Sequence, residues 1–284
     1  MLKFGAALAM FGLVACAPQT IGNIPPAAVA GSTSEVVAIP APDGRTVDML
    51  VIAPARAQAV LLVSHGGNSS PARMRVALDR LVADGFAVVA PTHTDSTELA
   101  AERRTDLRGA FPTRTADMRI AAEYARQRFA GLPQGAFGYS YGALSALVAG
   151  GALSPVVPGK VDGLKAVVMF SSPGPIKGIT DMPGALLGTT VPLLMVTGTA
   201  DTVPGFVTDA AQHRVYFNGV PVGDATLLVV KDATHGFLRG NEAGMDEVAP
   251  LALDFLRSRM LGDSAATSRF SAAASTERVT VQRK

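Results

Sequence analysis

The segment Gly138-Tyr139-Ser140-Tyr141-Gly142 restricts the fold of this chain more than any other stretch of it. It stands between an apolar run at 135–139 that reads as a strand and a run at 143–150 with the pattern of a helix. A serine at the tip of such a strand-to-helix turn is forced into a strained backbone conformation. Side chains two positions before and after it would collide with neighbouring backbone, which is why glycine is needed at both places. The unit therefore calls for strands that alternate with helices, with the serine at the carboxyl end of one strand.

The rest of the chain repeats that alternation. Short apolar runs at 35–39, 46–52, 59–64, 86–90, 135–139, 165–170, 192–197 and 225–230 predict eight strands in a mostly parallel sheet, with helices on both faces. Val60-Leu61-Leu62-Val63 and Val167-Val168-Met169-Phe170 are continuously apolar, as strands covered on both faces should be, whereas Thr46-Val47-Asp48-Met49 alternates and suits an edge. Helical spacing appears at 72–83, and Met118, Ala122, Ala125 and Phe129 form a stripe that packs a helix on the sheet. Two long connections, 94–112 and 171–191, are candidate walls of a substrate site.

With 284 residues the chain has room for one large α/β domain, expected over 34–261, followed by a Ser/Ala/Thr-rich tail over 262–284 that reads as disordered. Residues 16–33 are rich in Pro, Ala and Gly without a hydrophobic period and read as a tether. Residues 1–15 have a short basic start and an apolar run too short to span a bilayer. That run ends Leu13-Val14-Ala15-Cys16, which resembles the lipobox of bacterial lipoproteins, with Cys16 as the lipidated residue. The resemblance implies a lipid-anchored protein of the bacterial cell envelope. Ala17 in place of Asp after the cysteine implies the outer membrane, without fixing which side the domain faces. Cys16 is the only cysteine, so an intrachain disulfide is excluded, and a scattered net charge of +2 argues against nucleic-acid binding.

Three residues carry candidate chemistry. Ser140 is an exposed nucleophile if the turn forms, Asp201 follows an apolar strand in Gly198-Thr199-Ala200-Asp201, and His235 follows the last strand in Ala233-Thr234-His235-Gly236. A histidine beside a serine can take its proton, and a carboxylate can fix the ring's tautomer. Asp209 and Asp232 are the alternative acids. His213 reads as a helix-surface residue and His93 as a loop residue.

Together with Ser64-His65-Gly66-Gly67 and Arg114-x-x-Asp117-Met118-Arg119, these motifs resemble the dienelactone-hydrolase-like group of α/β-hydrolases over about residues 45–258. Within that group they are most like esterases similar to platelet-activating-factor acetylhydrolases and polyester hydrolases. The order serine, acid, histidine is that fold's order. The resemblance implies a Ser140, Asp201, His235 triad that cleaves small-molecule esters without metal or organic cofactor. It also implies an oxyanion site made by the backbone amides of Gly67 and Tyr141, with His65 bonding its own loop. Ser140 stands where true dienelactone hydrolases have cysteine, and Tyr139 where a histidine is common. A serine peptidase and a catalytically silent lipid-binding lipoprotein remain as other readings.

Overall fold

The computed structural model describes residues 19–20, 29–221, 223–239 and 244–284. The signal segment and Cys16 lie outside the described residues. Among the described residues a ten-stranded sheet forms the centre. Its strands are β1 (Gln19–Thr20), β2 (Ser32–Pro40), β3 (Thr46–Pro54), β4 (Ala59–Ser64), β5 (Phe86–Pro91), β6 (Gln134–Tyr139), β7 (Val167–Phe170), β8 (Leu193–Ala200), β9 (Ala225–Thr234) and β10 (Val279–Arg283), in spatial order β1-β2-β3-β5-β4-β6-β7-β8-β9-β10. The strands from β5 through β4 to β9 run parallel, and the outer pairings are antiparallel.

Helices cover both faces: α1 (Arg75–Ala83), α2 (Leu107–Arg128), α3 (Tyr141–Ala149), α4 (Arg214–Gly219), α5 (Met245–Leu256) and α6 (Ser264–Ala272). Alternation along β4 shows why its run is continuously apolar. Val60 and Leu62 enter the core with Met118, Leu144 and Tyr216, while Leu61 and Val63 enter the one with Leu78, Phe255 and Phe270. Each face therefore needs an apolar residue at every second position, and the strand has no polar side.

All eight expected strands form, and two more are added. The tail expected to be disordered is ordered: Asp263 caps α6 by accepting from Ala266 N at 3.0 Å, and Phe270 packs 5.3 Å from Phe255. Val279 pairs with Val230 as β10 closes the β9 edge. A Ser/Ala/Thr-rich composition hides these two apolar anchors, since neither sits in a periodic stripe. Two parts of the expected tether are paired as well, because Gln19–Thr20 lies on β2 and Ser32 already belongs to that strand. The predicted edge at Thr46-Val47-Asp48-Met49 is interior: β3 lies between β2 and β5, and Asp48 is covered by an ion pair with Arg103 at 2.9 Å. The connection at 94–112 is shorter than expected, because α2 begins at Leu107 under an Asp106 cap and contains Pro112. Among the described residues no helix is long and apolar enough to cross a membrane.

Candidate active site

β6 delivers Ser140 at its carboxyl end, and α3 starts at the next residue. Ser140 has φ 54° and ψ −124°, the strained conformation that the turn demands. The glycines are held to their positions by contact. A Cβ on Gly138 would stand 2.1 Å from the Gly142 carbonyl oxygen, and one on Gly142 would stand 2.0 Å from that of Ser64. No larger residue fits at either place.

Asp201 and His235 arrive from the ends of β8 and β9. Gly198 allows these strand ends to approach, since a Cβ there would lie 2.0 Å from the Ala233 oxygen. A register shift follows between Gly198 and Ala200. His235 Nε2 lies 3.0 Å from Ser140 Oγ, and His235 Nδ1 lies 2.7 Å from Asp201 Oδ1. The carboxylate is buried, whereas the His235 side chain is 22% exposed. Thr197 Oγ1 donates to Asp201 Oδ2 at 2.8 Å. Burial alone would raise the Asp201 pKa, but hydrogen bonds from His213 and His235 outweigh it and hold the group below the usual carboxylate range. Asp201 is thus ionised while it orients the ring. Asp209 instead caps the 3-10 turn Ala210–His213, and Asp232 is exposed on β9.

Tyr139, where the resembled group often has histidine, donates its hydroxyl proton to the His235 carbonyl oxygen and sets its ring 5.3 Å from the imidazole. Tyr141 donates to the Leu107 oxygen at 2.9 Å, and burial pushes its phenol up to about 12, so the hydroxyl keeps its proton. Phe237 is buried against Phe170 and contributes to the core.

The loop after β4 brings Gly66 and Gly67 against the turn: a Cβ on Gly66 would lie 3.4 Å from Ser140 Cβ, and one on Gly67 would lie 3.6 Å from Tyr141 Cβ. As the first residue of α3, Tyr141 has a backbone N–H without an intrahelical partner. His65 bonds its own loop as expected, with Nδ1 2.7 Å from the Gly66 oxygen while Nε2 accepts from His93 N at 3.0 Å.

A buried polar network supports this loop, and sequence reasoning missed most of it. Arg114, fully buried, donates to the carbonyl oxygens of His65 at 2.7 Å and Gly66 at 2.9 Å, and grips both Asp95 oxygens at 2.8 Å. Asp95 in turn accepts from Asn68 N at 2.8 Å. The signal was present in Arg114-x-x-Asp117, which sets both charges on the buried stripe of α2. His93, expected in a loop, is fully buried between Ser64 Oγ and Asp117 Oδ2, each at 2.9 Å. Ser64, His93 and Asp117 therefore repeat the Ser140 relay in side-chain type and bonding order, in a place that solvent does not reach.

His213 departs most from expectation. Its ring is buried, not on a helix surface, and its Nε2 lies 2.9 Å from the Asp201 carbonyl oxygen and 3.1 Å from Asp201 Oδ1. One donor atom each from Asp201, His213 and His235 falls within 4.8 Å of the others, close enough for a transition metal to be considered. Both imidazoles already direct a nitrogen at the same carboxylate oxygen, however, so a metal would have to displace two protons.

No protein-family model matches the sequence, and no curated protein matches it. Solved structures do. The polyethylene-glycol-bound form of a cold-adapted esterase from an Arctic intertidal metagenomic library superposes with a TM-score of 0.61 at 16% identity, covering 85% of this chain and 99% of that one. Its native form gives 0.60 at 18%, with the same coverage. A dienelactone hydrolase from Anabaena variabilis gives 0.61 at 21%, covering 81% of this chain and 99% of that one. With its strand order and the serine turn at the end of β6, this chain has the α/β-hydrolase fold.

Proposed function

We propose that this chain is a serine hydrolase that cleaves carboxylic esters of small molecules through an acyl-enzyme intermediate. The observation that carries this reading is the relay from Ser140 through His235 to Asp201, at 3.0 and 2.7 Å, with its serine on a strained turn. As Ser140 Oγ attacks the ester carbonyl carbon, His235 Nε2 takes its proton and Asp201 stabilises the imidazolium. The Gly67 and Tyr141 amides donate to the developing oxyanion. Collapse breaks the bond to the alkoxy oxygen, which leaves with the proton from His235. Water then attacks the acyl-enzyme by the same route and frees the acid. None of these steps uses a metal or organic cofactor.

The esterase and dienelactone hydrolase among the similar structures support ester chemistry over peptide cleavage. So does the 171–191 connection, which folds into the domain: Ala185 and Leu186 are buried in its core, leaving no separate cap. The lipobox-like segment supports anchorage of the domain to a membrane by acyl chains on Cys16.

Ser140→Ala should lower turnover of p-nitrophenyl esters by about 10⁴-fold or more, with His235→Ala close behind, because the residues act as a unit. The wild type, but not Ser140→Ala, should be labelled by a fluorophosphonate. Ester turnover that survives Ser140→Ala would sink the assignment.

A further inference from the structure

We propose that His213 is a positioning residue for the reaction: it makes a second hydrogen bond to the Asp201 oxygen that serves His235, and its own protonation sets how strongly Asp201 stabilises charge on His235. This rests on the proposed role of Ser140, Asp201 and His235. The ring is held by a capped turn, in which Asp209 accepts from Ala211 N while the Gln212 side chain returns to the Asp209 amide. It lies parallel to His235, with ring centroids 6.4 Å apart and planes 15° apart.

The bonding partners fix part of the proton state and leave the rest open. Nε2 faces two groups that only accept, the Asp201 carboxylate and carbonyl, so it carries a proton in either state. Nδ1 faces the Ser172 hydroxyl at 3.1 Å, which can donate to a neutral ring or accept from a charged one by rotating. The titratable groups facing the ring are Asp201 from the end of β8 and His235 from the end of β9. Beneath it, β7 contributes Met169, β8 Met195 and β9 Leu227, all uncharged. Burial opposes charge on His213, but the hydrogen bond and field of Asp201 outweigh it and raise its pKa above the usual histidine value.

A neutral His213 leaves Asp201 with its full charge to stabilise the imidazolium of His235. A protonated His213 shares that charge and weakens the relay.

The test is the pH profile of kcat for a p-nitrophenyl ester. The acid limb of the wild type should fall in two steps. His213→Gln, which keeps an N–H near the position of Nε2 but cannot titrate, should give a single step, with KM within about twofold of wild type. Ser172→Ala removes the acceptor for a charged Nδ1–H and should move the upper step to lower pH by about one unit. Should His213→Gln fail to fold, Ser172→Ala and a direct ¹⁵N NMR titration of His213 in the wild type decide the matter. A His213 ring that keeps one protonation state across the acid limb overturns the inference, as does an identical limb in wild type and His213→Gln. If Ser140→Ala is inactive while those limbs coincide, only the role of His213 falls; if Ser140→Ala stays active, the catalytic reading itself is wrong.

Discussion

Asp117 shows how a single buried charge can oppose its neighbours. Burial raises its pKa from 3.8 to about 6, against the pull of Arg45, which donates to it at 3.0 Å. Between those two values the folded chain holds more protons on this carboxyl than the unfolded chain does, so its contribution to stability is full below 3.8 and lost as pH rises through about 6. His65 and His93 act in the opposite sense: burial and then Arg114 depress their pKa values well below 6.5, and the stability of their neutral forms is lost as pH falls below that value. Asp117→Asn should therefore make the slope of stability against pH between about 4 and 6 more positive than in the wild type. Urea midpoints across that range would measure it, and an unchanged slope would show that Asp117 does not titrate there. The meeting of His93 with Asp117 was not legible from the sequence, because the two lie 24 positions apart and come together only through folding.

At the scale of elements, the strands were legible where apolar runs are continuous, and the candidate site was legible because Ser140, Asp201 and His235 each follow such a run. His213 was not, because it ends a single 3-10 turn with no apolar period to show which side is buried. Nor was the β10 pairing, whose burial rests chiefly on Val279. The approach of β8 to β9 is what brings the acid to the histidine, and Gly198 is its pivot. Gly198→Ala should force these strand ends apart, destabilise the fold by about 1–3 kcal/mol and lower kcat by about 10²-fold through misplacement of Asp201 against His235. A thermal melt with kcat on the folded fraction would check both, and wild-type kcat would show that the approach is not needed.

For the whole molecule, the proposed anchor at Cys16 lies outside the described residues, while Ser140, His235 and Asp201 come together within the described ones. Cys16→Ser should release the protein from the membrane fraction or block its processing while the purified domain keeps its ester turnover. Unchanged retention and mass would refute lipidation. The duplicated relay has a consequence for counting molecules. Ser64 stands in the same serine, histidine, aspartate order as Ser140, yet it is fully buried, and Arg114 Nη1 also lies 3.4 Å from its oxygen. In the folded chain, therefore, Ser140 is partly exposed and Ser64 is not. An active-site titrant should release one equivalent of leaving group per folded chain and none from an unfolded one, so the burst amplitude becomes a direct assay of the concentration of native protein.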